Sequence, residues 1–278
     1  MARLLTVPFD TTLDAARVQL ASLRRMTASQ RLRTSLQMST TVRSLVEAGV
    51  RARFPDSTGT AIRQEVTRRL HGRCDWPAFP RELSEDADMD QTVFLFDILE
   101  RLTRADVPYM LAGSHGASAH GYARATNDVD FVIAPDRAQL ERFLESFDER
   151  YYVSREAAFE AEARKSMFNV IDTVSGWKAD LIICKSRPFS LEEFNRRQTI
   201  ELGGQDVFVA SAEDIILSKL EWAKRGESER QLRDAEGVAR LQGSALDRAY
   251  LRRWAAELGV RESLESLLER VDEMEQNS

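Results

Sequence analysis

Asp128 and Asp130 stand one residue apart and lead directly into Phe131-Val-Ile133, an apolar run with the character of a buried strand. Side chains alternate along a strand, so this spacing puts both carboxylates on one side. Acids held that close repel unless a cation neutralises them. Oxygen-only ligands favour Mg²⁺, which shares its coordination shell with substrate phosphates. A third carboxylate is expected from a neighbouring strand. Asp180, in Lys178-Ala-Asp-Leu-Ile-Ile183, has the same form, and Asp172, after Phe168-Asn-Val-Ile, competes for the role. Three carboxylates around Mg²⁺ would activate a hydroxyl and stabilise a leaving pyrophosphate in an in-line displacement. The same Asp-x-Asp spacing at Asp86/Asp88 and Asp88/Asp90 falls in a polar stretch and reads as solvated acid.

Upstream of this pair, Tyr109-Met-Leu-Ala112 runs into Gly113-Ser114. A strand that ends in glycine before a short helix turns backbone amides outward at a helix N-terminus, where phosphate oxygens bind. The order is therefore an anion cradle at Gly113 and Ser114, a thirteen-residue spacer, then metal carboxylates on the next strand.

The elements that must position these residues alternate from Thr92 onward. The pattern predicts a helix over 92–104, a strand at 109–112, a short helix over 115–122, a strand over 128–133 and a helix near 136–147. Strands are expected at 151–154, 168–172, 178–184 and 207–209. Helix follows from Ala212 almost to the C-terminus, with breaks near Gly226 and Gly243. The fold class is α/β (α+β), with a mixed sheet, an N-terminal helical domain and a C-terminal helical tail. In the front segment, Thr27-Ala-Ser-Gln30 has capping-box spacing before an apolar helical period from Leu32 to Val50. Pro55 to Gly59 separates this helix from one ending near His71-Gly72, where His71 is expected to interact with the helix dipole. The expected boundaries are a helical domain over 1–74, a linker over 75–90 with Pro77, Pro80 and an acidic run, a core over 91–210 and a helical region over 211–278.

Charge is divided unevenly. Residues 1–74 carry thirteen Arg, no Lys and five acids, a net of +8, which leaves −14 for the rest of a chain whose formal charge is −6. Such asymmetry favours docking of one part on the other, or of one chain on another. Cys74 and Cys184 form neither a metal pattern nor a disulfide framework, which predicts a reducing, cytoplasmic setting. The longest uncharged stretch, Val107 to Ala123, contains Pro108 and three glycines and reads as no membrane span, and Asp10 closes the short N-terminal apolar run too early for a signal peptide.

Residues 107–133 together with Asp180 resemble the DNA polymerase β-like nucleotidyltransferase superfamily. More narrowly, Leu111-Ala-Gly-Ser-His-Gly-Ala-Ser-Ala-His-Gly121, Arg124-Ala-Thr-Asn-Asp-Val-Asp130, and Val209-Ala-Ser-Ala-Glu-Asp-Ile-Ile-Leu-Ser-Lys219 with Arg233-Asp234 resemble the AbiEii and MenT toxins of bacterial toxin–antitoxin systems. The resemblance implies a nucleotide site at Gly113, Ser114, Arg124 and Lys219. It places Lys219 and Asp234 in the active site beside the metal-binding Asp128, Asp130 and Asp180. Asp234 would orient Lys219 or Arg225. Gly237 stands where relatives often carry a further acid. The implied reaction is transfer of NMP from an NTP to a tRNA 3′ end. Residues 22–72 resemble a small helical antitoxin family encoded beside such toxins, which implies an antitoxin–toxin fusion in one chain.

Two other functions compete. In one, the acceptor is a protein side chain or a small molecule such as an antibiotic, a reading favoured by the acidic rear. Against it, Arg187, Arg196, Arg197, Arg225, Arg230, Arg233, Arg248, Arg252 and Arg253 would form a local basic patch for RNA. In the other, the chain is a catalytically silent binding module.

Overall fold

The computed structural model describes residues 12–72, 90–226 and 228–276. Cys74, the expected linker up to Met89, and the Asp86/Asp88 pair lie outside the described residues.

Three helices come first, α1 (Leu13–Arg25), α2 (Ala28–Arg53) and α3 (Gly59–His71). The expected capping box opens α2: Gln30 N donates to Thr27 Oγ1 at 3.1 Å and Thr27 N to Gln30 Oε1 at 2.8 Å. Thr58 caps α3 by accepting from Ala61 N. The middle of the chain alternates α4 (Gln91–Arg104), β1 (Tyr109–Leu111), α5 (Gly113–His120), β2 (Asp128–Ile133), α6 (Arg137–Glu145), β3 (Tyr151–Tyr152), α7 (Arg155–Arg164), β4 (Met167–Asp172) and β5 (Lys178–Ile183). It continues through α8 (Pro188–Asn195), β6 (Gln198–Leu202) and β7 (Gln205–Val209). The tail is α9 (Ala212–Gly226), α10 (Glu229–Gln242), α11 (Arg248–Leu258) and α12 (Arg261–Gln276). This is a mixed α+β fold, with a mixed sheet between helical regions towards both ends of the chain. Among the described residues, no helix is long and apolar enough to cross a membrane.

The described chain forms two compact bodies. One takes the residues up to Thr34, Leu111–Ala123 and Arg187 onward, and the other takes Ser35–Met110 and Arg124–Ser186.

In the second body the strands run in the order β3-β4-β5-β2-β1. β5 is parallel to β2 and antiparallel to β4. Phe94, Leu95, Ile98 and Leu102 of α4, Phe131 and Ile133 of β2, and Leu140 and Phe143 of α6 are buried in its core. Alternation along β2 is strict: Val129, Phe131 and Ile133 are buried while Asp128, Asp130 and Val132 are half-buried. α2 and α3 contribute a cluster of Val50, Ile62 and Val66, flanked by Val46 and Leu70.

In the first body Leu111 pairs parallel with Val209 of β7, and β7 pairs antiparallel with β6. The β6–β7 turn is Gly203-Gly204, both at positive φ, +62° and +84°, the two-residue hairpin geometry that glycine supplies at no steric cost. α5 packs against α9 and α10. A Cβ on Gly121 would lie 2.8 Å from Val238 N and 3.0 Å from the Gly237 carbonyl carbon, so the two backbones meet where relatives often carry an acid.

Candidate catalytic site

Register builds the site in the second body. Parallel pairing sets Asp128 beside Lys178 and Asp130 beside Asp180. Directly paired residues share a face of the sheet, so three acids and one lysine stand on one face of adjacent strands. Lys178 Nζ lies 2.9 Å from Asp180 Oδ1, 3.0 Å from Asp180 Oδ2 and 3.5 Å from Asp128 Oδ2. One ammonium therefore serves both carboxylates. Asn169 is the antiparallel partner of Asp180, and with its amide nitrogen turned inward it donates to Asp180 Oδ1 at 3.0 Å.

Asp172, the competitor for the third carboxylate, is engaged elsewhere. Arg150 grips it with Nε and Nη2 at 3.0 and 2.9 Å, and Ser175 Oγ and Val174 N also donate to it. It is fully buried and its acceptor sites are filled, so it anchors the β4–β5 turn.

The front of the chain reaches the same face. His71 Nδ1, at the end of α3, lies 3.4 Å from Asp128 Oδ1, and the His71 side chain is only 6% exposed. The expectation of a histidine serving the helix dipole misses this partner on β2. Beside it, Asn127 Nδ2 donates to Leu70 O at 2.7 Å, which binds the last turn of α3 to the residue preceding Asp128. α2 supports the loop before β2: Thr126 N donates to Ser39 Oγ at 3.0 Å, and Ser35 Oγ donates to Arg124 O at 2.7 Å. Gln91 Nε2 donates to Thr126 O from the start of α4. Arg43 of α2 lies over the Trp177 ring at 5.0 Å, and Arg43 and Thr67 crowd Gly176, which holds φ +72°.

These neighbours set the ionisation of the acids. Burial alone would raise the Asp128 pKa, but His71 and Lys178 together bring it below the ordinary carboxylate value. For Asp180 burial prevails over Lys178, and the negative charge of Asp128 adds to it, so its pKa is raised. Among the described residues, no group of three or more His, Cys, Asp or Glu side chains is arranged to hold a metal ion. The donor set nevertheless fits a hard cation. Asp128 Oδ1 is buried and accepts no well-aligned hydrogen bond among the described residues, and the Lys178 ammonium already stands as a cation shared by two carboxylates.

The remaining expected residues are in the first body, except Arg124, which belongs to the second and donates from Nη1 to Ala125 O. Gly113 opens α5 at φ +55°, a conformation costly for any side chain, and the N-cap Ala112 offers no side-chain acceptor. Ser114 follows it on the first turn. Lys219 Nζ of α9 lies 2.9 Å from Asp234 Oδ2 of α10, and both side chains are buried. Arg225 pairs with Glu221. His120 is held by Ala210 O at 2.8 Å and, with His115, is buried in packing. Much of the expected arginine patch is spent on acids. Arg187 and Arg225 bind Glu221, Arg196 approaches Glu213 and Asp214, Arg248 binds Asp272 and Arg252 binds Glu265.

Two residues of the site were not expected from the sequence, Lys178 and His71. The signal for Lys178 was its place two residues before Asp180, on the same face of the strand. His71 carried no comparable signal, because its partner is 57 positions away in sequence.

The model of the Rv0078B-related antitoxin family matches residues 24–92, which take in all of α2 and α3. Comparison with curated proteins gives no match. Among solved structures, an antigenic nucleotidyltransferase-like protein from Paracoccidioides brasiliensis is 20% identical with a TM-score of 0.44, over 64% of this chain and 91% of that one. The antibiotic-resistance factor ANT(2″)-Ia is 15% identical with a TM-score of 0.42, over 68% of this chain and 98% of its own. JHP933 from Helicobacter pylori is 16% identical with a TM-score of 0.34, over 70% and 96% of the two chains. Similarity of this degree is a resemblance in architecture and assigns no activity. By sequence, residues 24–92 are similar to an antitoxin family, and they are joined to a mixed α+β fold.

Proposed function

We propose that this chain is a nucleotidyltransferase that moves NMP from an NTP to an acceptor hydroxyl, with its antitoxin-family segment as a built-in inhibitor. The observation that carries this reading is the β2–β5 register, which sets Asp130 against Asp180 with Asp128 on the same face. Asp128, Asp130 and Asp180 would hold Mg²⁺, and the loaded site would supply Lewis-acid activation and charge neutralisation at the triphosphate. The acceptor oxygen attacks the α-phosphorus, the bond to the β-phosphate oxygen breaks, and pyrophosphate leaves with that electron pair. Asp180 takes the hydroxyl proton as general base. Arg124 adds positive charge in the same body. The sequence resemblance alone assigns Gly113 and Ser114, as donors to phosphate oxygens, and Lys219 with Asp234 to the same reaction.

The sequence motifs resembling AbiEii and MenT toxins support a tRNA 3′ end as acceptor. The pairing of Arg187, Arg196, Arg225, Arg248 and Arg252 with acids favours a second reading, in which the acceptor is a protein or small molecule. Incubation with each α-labelled NTP, Mg²⁺, total tRNA and a cell extract separates the two by where the label appears. Asp128→Asn and Asp130→Asn are expected to abolish label transfer to either acceptor, with the circular dichroism spectrum unchanged. Transfer at the unaltered rate in either variant refutes the assignment.

A further inference from the structure

The second body brings two nitrogen-bearing side chains of the chain itself to the carboxylates. His71 reaches Asp128 Oδ1 from the end of α3, and Lys178 reaches Asp128 Oδ2 and both oxygens of Asp180. The lysine comes from inside the strand pair, whereas the histidine comes from the antitoxin-family segment. A divalent cation on Asp128 would have to sit about 2.0–2.1 Å from a carboxylate oxygen and keep several waters around it. With the His71 ring 3.4 Å from Oδ1 and Asn127 tied to Leu70 O, that oxygen faces a protein side chain and not a hydration shell. The last turn of α3 therefore covers Asp128 Oδ1.

From this geometry we propose that docking of the α3 end and binding of a divalent cation at Asp128 are mutually exclusive, with His71 the competing group. The inference rests on the reading of Asp128 as a cation ligand and deepens it by naming how the front segment holds the site closed. The device is steric. His71 covers Asp128 Oδ1 without a well-aligned hydrogen bond to it, and the Asn127–Leu70 bond seats the helix end that carries the histidine. Cation binding then requires the end of α3 to move away, and whatever draws α3 off the face opens the site. The neighbouring contacts set how far this release extends. Ser39 and Ser35 hold the loop before β2 from α2, so the first element to lift is the last turn of α3.

Mn²⁺ added to the full chain tests this, with free Mn²⁺ followed by electron paramagnetic resonance and amide exchange followed by mass spectrometry. His71→Ala is expected to tighten Mn²⁺ binding about tenfold, the scale of one lost contact to a charged group. In the unaltered chain, Mn²⁺ is expected to speed exchange of amides in residues 66–72. Asp128→Asn, made in the unaltered and His71→Ala chains alike, must remove the binding. Should Asp128→Asn change nothing, or should neither parent chain bind Mn²⁺, Asp128 is no cation ligand and the catalytic reading falls together with this one. An Asp128-dependent site that His71→Ala leaves unchanged or weakens, with exchange over 66–72 unmoved, overturns the exclusion and leaves the cation site standing. If His71→Ala does not fold, the exchange measurement on the unaltered chain decides alone.

Discussion

Glu193 of α8 is buried, with Ser218 Oγ donating to it at 2.7 Å, and desolvation pushes its pKa up to about 7. The folded state therefore keeps a proton that the unfolded chain gives up near its ordinary value of 4.5. Between those values the folded state binds more protons, so stability falls as pH rises from about 4.5 to about 7 and stays lowered above. The whole effect is at most about 3 kcal/mol. Glu193→Gln keeps the oxygen that Ser218 contacts and removes the charge. It is expected to unfold at higher urea concentration than the parent at pH 8 and at a similar one at pH 4, and equal shifts at both would refute the argument. The Lys219–Asp234 pair is a different case, since two opposite charges are buried against each other. Lys219→Met should cost about 3 kcal/mol, and adding Asp234→Leu should recover part of it, because replacing both charges removes the stranded one. Urea titration of the two variants checks this.

At the scale of elements, β2 is placed by what precedes it. Ser39 Oγ accepts from Thr126 N and donates to Ser35 O, so one hydroxyl of α2 joins a buried loop amide to the helix. Ser39→Ala leaves that amide without its acceptor and should cost about 1–2 kcal/mol, with faster exchange confined to Thr126 and its neighbours. Exchange that quickens across all of β2 would mean that α2 sets the strand itself. None of this could be read from sequence, because an ordinary mid-helix serine looks the same whichever partner it finds. What was legible followed local rules. The Thr27–Gln30 box, the acids ahead of Phe131-Val-Ile133, and the glycine before α5 are each specified within four residues. α7, α8 and β6 were missed for matching reasons. α7 buries only Ala158 and Ala161, α8 is short, and β6 is an exposed strand with little alternation. For β6 the Gly203-Gly204 pair is the available sign of a hairpin, and its weak pattern hid the strand. The Lys178–Asp180 pair was equally legible as a same-face spacing, whereas the His71–Asp128 contact needed tertiary structure.

Across the whole molecule, the +8 front and −14 remainder suggest attraction as the force that holds the front helices, but the contacts described are of another kind. In the first body Arg24 Nη2 donates to Arg240 O at 2.9 Å, and Arg31 donates to Ala119 O as well as to Leu23 O and Met26 O within the front segment. These contacts are to main-chain carbonyls, and burial lowers the pKa of Arg31. Arg51, Arg68 and Arg69 pair with acids of their own helices. In the second body α3 is held by the Val50–Ile62–Val66 cluster, by Asn127 and by the largely buried His71. Exposed ion pairs are worth about 0–1 kcal/mol and are screened within about 3 Å at 1 M salt, while apolar packing and buried hydrogen bonds are not. Raising NaCl from 0.05 M to 1 M should therefore leave amide exchange in α2 and α3 essentially unchanged. Mn²⁺, at concentrations that barely alter ionic strength, should loosen the last turn of α3. If 1 M NaCl instead loosens the front helices throughout, long-range charge holds the antitoxin-family segment in place, and the carbonyl and apolar contacts are secondary.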